Sequence, residues 1–365
     1  MKRKIFRAVI ALIALIGIVF IVLRSLPITY KGLALPTPTA SSTNSPRSTT
    51  VSTLTPTGIP TPVVSILIHD KSGPLYEMVF DVPVEEHGIT YMGVDVPERE
   101  RTGPQAFVVA SDGSFYIADT VGGRVLHYNS TGDRLGIIKP CDWVVGIADV
   151  AVIDFDVVFL DIATMVPRVL RCSPDGKVVF SYDLPEGLRP ENGLTGIAVG
   201  DNGEVLIELE SGASLYQLTD TEGLYAPRRL EGRVQRGRLY QVASPYLIAG
   251  DARIEFKFSF GFGGLLYLLG TQADGSFYVV QEDVINMSPV EVDQTVHYFN
   301  AEGRRLGMAR APLAEQFIPA VTHSLAVGPD GMVYAMITRR DHVEIVSLNF
   351  FEHLEPLLPS STATP

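Results

Sequence analysis

The sequence lacks the short motifs by which several common catalytic sites are recognised. It has no Gly-rich phosphate-binding loop, no G-x-S-x-G segment, no H-E-x-x-H segment and no C-x-x-C pair. Gly261-Phe262-Gly263-Gly264 precedes a strand-like segment and not a helix, so it indicates a bend. These absences exclude the P-loop, serine-hydrolase, zinc-protease and CxxC redox motifs as sources of activity.

Acidic residues are absent from the first 62 residues, which contain seven Lys and Arg residues. The remaining chain has 22 basic and 41 acidic residues, a net charge of −19 with histidine neutral. A domain with this charge is not expected to bind nucleic acid or an anionic lipid surface through its general field. The charge favours cationic ligands or divalent metals, or simply supplies a solubilising surface.

The N-terminal segment has the pattern of a signal anchor. Basic residues at positions 2–4 and 7 precede 16 apolar residues, 8–23, and Arg24 follows. Cationic residues before an apolar run stay in the cytoplasm while the following chain crosses the membrane. We therefore expect residues 1–34 to form a cytoplasmic basic tip and one transmembrane helix. A cleaved signal peptide is the alternative.

Residues 35–62 have no hydrophobic periodicity and are rich in Pro, Thr and Ser. This composition cannot bury a core and stays extended. We expect a disordered stalk that holds residues 63–350 outside the cell membrane as one monomeric extracytoplasmic domain. Residues 351–365 show no alternation and are expected to be a disordered tail.

Four short apolar runs within 104–138 predict the repeating unit of this domain. Alternating runs separated by Gly and Asp indicate four antiparallel strands with tight hairpins, which is one blade of a β-propeller. The separating turns are Asp112-Gly113, Gly122-Gly123 and Thr131-Gly132-Asp133. Further copies of the pattern lie at about 147–184, 195–230, 265–310 and 322–349. A repeat of this length cannot close a core alone, so a ring of blades is predicted.

The first blade resembles the NHL repeat of six-bladed propellers. The matching features are the Gly103-Pro104 pair, the Asp112-Gly113 turn, the strand end Tyr116–Thr120 and the Arg124-Val125 pair. The resemblance implies an all-β fold, a six-bladed β-propeller of four-stranded antiparallel blades. Residues 231–262 carry no clear motif and are expected to form a degenerate fourth blade, with five blades as the alternative. The resemblance implies no single function, because propellers host enzymes, receptors and scaffolds.

The last repeat has only three strand candidates. Propeller rings commonly close by borrowing a strand from the other terminus, and the apolar run Tyr76–Val82 precedes the first blade. We expect this run to complete the last blade and so remove two exposed sheet edges.

The two cysteines, Cys141 and Cys172, are expected to be unpaired. Cys172 is predicted at the end of a third strand, and Cys141 between two blades. Strands of five or six residues would separate these points by roughly 15–20 Å, whereas a disulfide requires Cα atoms within about 7 Å. Both are therefore expected to be buried thiols that act as small hydrophobic groups.

Propeller enzymes place their sites on the face formed by the loops between second and third strands and by the segments between blades. The ligand-binding candidates on those loops are Asp119, Asp161, Glu208, Glu282, Asp283 and Asp341. Asp119 with Arg124 and Asp161 with Arg168 recur at one hairpin position. We expect these pairs to clamp neighbouring strands.

The segments between blades offer four candidate metal ligands, Gln105, Asp149, Asn192 and His323. Six-bladed lactonases and gluconolactonases use Glu, Asn and Asp side chains near the channel for calcium, so the resemblance implies calcium as the one cofactor to consider. No local D-x-D-x-D-G calcium loop is present. Zinc is disfavoured, because only His323 and His342 are placed as ligands.

Segment 281–294 is the longest predicted hairpin insertion, and it is acidic with several apolar residues. It is interpreted either as a loop that contacts a protein partner or as an unconstrained insertion. The leading functional hypothesis is a non-enzymatic ligand- or protein-binding platform at the cell surface. The alternatives are a calcium-dependent hydrolase or lyase of the lactonase type and a structural module of an envelope assembly.

Overall fold

A computed structural model of the chain describes residues 68–69, 73–96, 99–260, 264–318 and 321–354. In these ranges the secondary structure consists of 26 strands and three short 3-10 helices, Glu186–Leu188, Pro190–Asn192 and Leu313–Glu315. None of the helices in these ranges has the length and apolar character needed to cross a membrane. The predicted signal anchor and stalk lie outside the described residues, as do residues 355–365 of the predicted tail.

Six predominantly antiparallel sheets follow one another along the chain, and each sheet is one blade. Two strands precede them, β1 (Ile68–His69) and β2 (Tyr76–Pro83). Blades 1 to 3 contain β3 (Ala106–Val109), β4 (Phe115–Asp119), β5 (Arg124–Tyr128), β6 (Arg134–Ile138), β7 (Ile147–Ile153), β8 (Asp156–Asp161), β9 (Arg168–Cys172), β10 (Val178–Asp183), β11 (Leu194–Val199), β12 (Val205–Leu209), β13 (Ser214–Thr219) and β14 (Tyr225–Leu230). Blades 4 to 6 contain β15 (Arg233–Gln235), β16 (Arg238–Ala243), β17 (Tyr246–Ala249), β18 (Ala252–Glu255), β19 (Leu265–Thr271), β20 (Phe277–Met287), β21 (Val290–Phe299), β22 (Arg305–Arg310), β23 (Leu325–Val327), β24 (Val333–Thr338), β25 (His342–Leu348) and β26 (Phe350–Phe351).

This architecture confirms the predicted six-bladed, all-β propeller. Strands β15 to β18 form a complete four-stranded sheet in the region that lacks a clear motif, so the fourth blade is present. In blades 1 to 4 the strands pair in chain order. The short hairpins between them make this order the one that costs the least loop entropy.

The predicted Asp-Gly turn of blade 1 explains how neighbouring strands reverse direction. Gly113 has φ of 83°, a left-handed conformation that glycine adopts without a steric penalty. Asp112 Oδ1 accepts hydrogen bonds from Ser114 N at 2.9 Å and from Ser114 Oγ at 2.6 Å. Asp274 and Ser276 repeat this arrangement around Gly275 in blade 5. The recurring turn fixes the register of the first hairpin in both blades.

Strand β2 is the outer strand of the last blade, as the sequence predicts. It pairs antiparallel with β25, from Tyr76 opposite Leu348 to Pro83 opposite His342. The Phe80 ring lies 5.2 Å from the ring of Phe115 in blade 1. The N-terminal strand therefore completes blade 6 and packs it against blade 1, which closes the ring.

Blade 5 extends beyond four strands. Strand β26 pairs with β22 through Phe351 and Met308, and β1 pairs with β26 in parallel. Phe350 and Phe351 are both buried. The residues that follow the last blade strand thus contribute to the core of blade 5.

Segment 281–294 was predicted to be a loop, and that prediction is wrong. Strands β20 and β21 pair along their length, from Phe277 opposite Phe299 to Met287 opposite Val290. The segment is a hairpin extension that turns at Ser288-Pro289. Its β-branched residues, which include Val284 opposite Val292, favour strand over loop.

The expectation of unpaired cysteines is also wrong, because Cys141 and Cys172 form a disulfide with Cα atoms 5.7 Å apart. Adjacent strands in a sheet are rotated by about 20–25°, so the outer strand β6 runs obliquely to the inner strand. Ile138 and Cys141 consequently pack with the core residues Leu170 and Cys172 of blade 2. The prediction separated the two residues by the length of a strand, whereas the oblique outer strand brings them into contact.

Substitution of Val82 tests the closure. Val82 is 1% exposed in β2, whereas Met78 on the same strand is 53% exposed. We expect Val82→Asp to lower the free energy of unfolding by about 3–5 kcal/mol, because it buries an unpaired charge in the closing strand. Met78→Asp, the matched control, should change it by less than about 0.5 kcal/mol. Equal effects of the two substitutions in chemical denaturation would contradict the closure.

Candidate functional site

An axial cavity of about 580 Å³ lies where the inner strands of all six blades meet. Its wall comes from β3, β7, β11, β15, β19 and β23. One end contains the side chains of Asp149, Glu208 and His323, and the other reaches the turns that follow the inner strands, at Ser111 and Pro329. We call the space lined by these strands the axial cavity.

Four charged side chains meet at the end of the axial cavity opposite Ser111 and Pro329. We call them the axial cluster: Asp149, Glu208, Arg233 and His323. His323 Nδ1 lies 2.9 Å from Asp149 Oδ2, and His323 Nε2 lies 3.5 Å from Glu208 Oε2. Arg233 Nη1 lies 3.6 Å from Glu208 Oε1. The four residues come from blades 2, 3, 4 and 6, so the cluster links blades across the axis.

Gly196 gives the axial cluster its space. It lies in the inner strand of blade 3, opposite Glu208 and beside a bulge in the pairing of β11 with β12. A Cβ atom at this position would lie 2.3 Å from His323 Cε1 and 2.6 Å from Asp149 Oδ2. A residue with a side chain would therefore displace the imidazole or the carboxylate, and the close approach depends on glycine.

Backbone donors hold Asp149 in place. Asp149 Oδ2 accepts a hydrogen bond of 2.7 Å from Ile197 N, and Oδ1 accepts one of 2.8 Å from Val150 N. The Asp149 side chain is only 1% exposed. Both of its oxygens are therefore committed to the protein, and one of them also faces His323.

The cluster is close to electrically neutral near pH 7. Burial disfavours charge on His323, but the carboxylates of Asp149 and Glu208 outweigh it and raise the pKa of His323 well above its ordinary value. Burial also opposes ionisation of Glu208. The hydrogen bond with His323 and the charges of Arg233 and His323 outweigh that effect and lower the pKa of Glu208. Two carboxylates thus face two cations.

Tyr267 adds a neutral hydroxyl to the wall of the axial cavity. Burial, and then the nearby carboxylates of Glu282 and Glu208, raise the pKa of Tyr267. The phenol therefore stays protonated and can donate or accept a hydrogen bond. Both ring nitrogens of His323 already face carboxylates, so the imidazole acts as a bridge inside the protein.

The structure brings some of the predicted ligand-binding residues into internal pairs. Asp119 forms a 2.9 Å ion pair with Arg124, and Asp161 lies 3.7 Å from Arg168. Both carboxylates are fully buried and also accept backbone N–H groups, for example Asp119 from Thr90 N. These pairs are strand clamps, as expected.

Three further predicted residues also bond within the protein. Glu282 accepts a hydrogen bond from Gln294 Nε2, and burial raises the pKa of Glu282. Asp283 accepts hydrogen bonds from Ser259 N and Oγ. Asp341 contacts His342 at 2.7 Å. Of the six predicted residues, Glu208 lies in the axial cavity.

Of the four predicted metal ligands, the structure brings Asp149 and His323 together. The Gln105 carbonyl accepts backbone hydrogen bonds from Thr322 and His323, and the Asn192 amide donates to the Glu186 carbonyl in a 3-10 segment. In the part of the chain that the structure describes, no group of three or more His, Cys, Asp or Glu side chains is arranged to hold a metal ion.

Four residues that line the axial cavity were not predicted from the sequence as site residues: Arg233, Gln235, Arg236 and Tyr267. The first three belong to the short hairpin of the fourth blade, which has no repeat motif. Without a motif, their position relative to the axis had no sequence signal. Tyr267 occupies an inner strand at a position where an aromatic residue is equally typical of the core.

Comparisons with known proteins give matches among solved structures only. No protein-family model matches the chain, and no curated protein matches it. Among solved structures, a streptogramin B lyase is 13% identical with a TM-score of 0.42, and the match covers 68% of this chain and 93% of that one. Virginiamycin B lyase from Staphylococcus aureus is 14% identical with a TM-score of 0.42, covering 68% and 95%.

The WD40 repeats of RRP9 are similar to the same extent, with 11% identity, a TM-score of 0.40 and coverage of 67% and 94%. Because all three TM-scores are below 0.5, no conclusion about this chain is drawn from these similarities. The six blades are established by the sheet topology of the chain itself. The class of protein defined here is a six-bladed β-propeller with a charged cluster on its axis.

Substitution of Gly196 tests the packing of the axial cluster. We expect Gly196→Ala to lower the free energy of unfolding by about 1–3 kcal/mol, because the added methyl group overlaps His323 and Asp149. Gly187→Ala is the matched control, since an added Cβ there meets nothing within 4 Å. In a double-mutant cycle with His323→Ala, most of the cost should disappear. Full additivity would show that the strain lies elsewhere.

The pH dependence of stability tests the protonation of His323. A raised pKa means that charged His323 contributes stability fully below about pH 6.5, and that this contribution is lost as the pH rises through its folded pKa. We expect His323→Gln to cost on the order of 3 kcal/mol at pH 6, and the difference from the unaltered protein to shrink as the pH rises through the raised pKa of His323. The control His353→Gln, at an exposed site, should show no such trend. A constant difference for His323→Gln would contradict the assignment.

Proposed function

We propose that the propeller is a non-enzymatic binding module that takes a small polar ligand in the axial cavity. The observation that carries the proposal is the cavity of about 580 Å³, to which every blade contributes. Ligand sites in proteins commonly enclose about 300–1,000 Å³ and combine apolar walls with a few convergent polar groups. The axial cavity has that size, apolar strand residues and polar groups such as Tyr267 and Gln235 in its wall.

The inner strands supply further binding groups. Each of β3, β7, β11, β15, β19 and β23 lies at the end of its sheet, and of these β3 also forms a bridge on its other side, between Ala106 and His323. An edge strand presents backbone N–H and C=O groups that are not used in the sheet. Six such edges surround the axis, so a ligand there can exchange hydrogen bonds with backbone as well as side chains.

The axial cavity is favoured as the ligand site over the predicted loop face, because carboxylates of that face already form ion pairs or hydrogen bonds within the protein. Asp119 and Asp161 are clamped to arginines, and Asp283 bonds with Ser259. A ligand that used these groups would have to break internal hydrogen bonds, and a buried group left unpaired costs about 1–3 kcal/mol. No comparable cost applies to the Tyr267 hydroxyl.

A location outside the cytoplasm is part of the proposal. The signal anchor at 1–34 and the stalk at 35–62 are sequence predictions that place the propeller at the cell surface. The Cys141–Cys172 disulfide supports the same location, because disulfides persist in oxidising compartments and are rare in the cytosol. A protein partner at the hairpin of 281–294 is a further proposal, supported by the exposed residues Met287 and Val290 at its tip.

Enzymatic acid–base chemistry is the second candidate, and one observation favours it. His323 has a strongly shifted pKa and lines a cavity together with Tyr267, and groups of this kind concentrate at active sites. Calcium is less well supported, because both oxygens of Asp149 accept backbone hydrogen bonds. Six to eight free oxygens are needed for a calcium shell. Chelation with EDTA is therefore expected to leave the melting temperature unchanged.

A cavity-filling substitution tests the proposed function. Ala198 is 7% exposed and lines the axial cavity. We expect a small-molecule fragment screen by ligand-observed NMR to give hits whose binding is lost in Ala198→Met, because the longer side chain occupies the ligand space. Ala243→Met, at an exposed strand end, is the matched control and should retain the hits.

The outcomes separate the candidates. Hits that bind Ala198→Met as well as the unaltered protein would move the site away from the cavity. Hits that are chemically converted, with loss of conversion in His323→Gln, would favour the enzyme. A melting temperature that falls on chelation would favour the calcium-dependent alternative.

A further inference from the structure

We infer that the ligand of the axial cavity carries an oxyanion, a carboxylate or a phosphate, and that the β15–β16 hairpin of blade 4 binds it through Arg233, Gln235 and Arg236. This inference rests on the proposed function and names the ligand class for the same cavity. All three side chains line the cavity. Arg233 lies beside Glu208 in the axial cluster and Arg236 lies in the β15–β16 turn, so the three side chains line one strip of the wall between the cluster and the turn.

The Arg233 guanidinium has contacts within the protein but also has donor groups that these contacts do not use. Its Nη1 lies 3.5 Å from the Leu268 carbonyl and 3.6 Å from Glu208 Oε1. Both distances exceed the 2.7–2.9 Å that is typical of a charge-assisted hydrogen bond. Arg233 Nε is buried and has no hydrogen-bond partner among the described residues. A guanidinium offers five N–H donors, and a buried donor without a partner points to a group that the cavity is built to receive.

Gln235 also has a buried polar atom without a partner. It lies two residues further along β15, on the same face of the strand as Arg233. Its Oε1 is also buried without a hydrogen-bond partner among the described residues. Rotation of the amide by 180° exchanges its oxygen and nitrogen at almost no cost in shape. In that orientation Gln235 presents an NH₂ donor to an anion bound beside Arg233.

Arg236 is an exposed residue in the turn between β15 and β16. It has φ of 52°, a left-handed conformation that residues with a side chain rarely adopt. The same side chain also lines an adjoining depression together with Asp201, Gln235 and Thr271. Arg236 and Gly237, with φ of 52° and 72°, are the two residues of the turn between β15 and β16, and a tight hairpin turn of this kind requires positive φ at both positions.

The charge balance of the cavity favours an anion over a cation. Asp149 and Glu208 face His323 and Arg233 within the axial cluster, so neither carboxylate is free for a cationic ligand. Arg236 is the remaining charge of the lining. Arginine suits carboxylate and phosphate oxygens because its planar fork donates two parallel hydrogen bonds.

The test uses the full-length chain and four probes: inorganic phosphate, citrate, neutral glycerol and sodium chloride at matched ionic strength. We expect phosphate or citrate to raise the melting temperature, and glycerol and chloride to leave it unchanged. Arg236→Gln should weaken binding of the effective oxyanion and raise its dissociation constant about tenfold. Arg229→Gln removes the same charge at an exposed position of β14 and should leave the constant unchanged.

The results identify the source of the oxyanion or overturn the inference. Stabilisation by phosphate alone indicates a phosphate ester, and stabilisation by citrate alone indicates a carboxylic acid. No stabilisation by either, or equal losses in Arg236→Gln and Arg229→Gln, would overturn the inference. If fragments sensitive to Ala198→Met bind but oxyanions do not compete with them, the proposed function stands and the inference fails. If oxyanions bind Ala198→Met unchanged, they bind outside the axial cavity and the inference fails. The proposed function fails as well only if the fragments also bind Ala198→Met unchanged.

Discussion

The pairing of β2 with β25 is the contact on which the other features depend. A propeller blade has an inner and an outer edge, and an open ring would expose two blade faces to water. Strand β2 supplies the outer edge of blade 6 from the N-terminal side of the chain, while Phe80 packs against blade 1. Because the ring is closed in this way, the six inner strands face one another and enclose the axial cavity.

The axial cluster is a consequence of that closure. Asp149, Glu208, Arg233 and His323 are separated by up to 174 positions in the sequence, and the closed ring brings them within a few ångströms. A buried charge without a partner would be strongly destabilising, so each member requires the others. Gly196 permits the contact by leaving the space that a side chain would fill. The same four residues thus stabilise the closed ring and make one end of the axial cavity polar.

The fold was predictable because its signal is local and repeated. The Asp-Gly turns, which include Gly113 and Gly275, alternate with short apolar runs. Because this pattern recurs along the chain, each copy supports the assignment of the others as blades. The closing strand was predictable from the one missing strand in the last blade. The disulfide was not, since the twist that brings Cys141 to Cys172 acts over a whole blade. The hairpin of 281–294 was mistaken for a loop because its length exceeds that of an ordinary blade strand.

The candidate site was predictable only in part. Asp149 and His323 were predicted as metal ligands between blades and Glu208 as a ligand-binding residue on a loop, but nothing in the sequence indicated that the three contact one another. The sequence alone determined the β-propeller architecture, because turn chemistry and strand alternation operate between neighbours along the chain, whereas the sheet of β15 to β18 decided between five and six blades. The tertiary structure decided which polar groups are satisfied internally and which remain available in the axial cavity. That division depends on distances between blades, which twist and ring closure set and which no local pattern encodes.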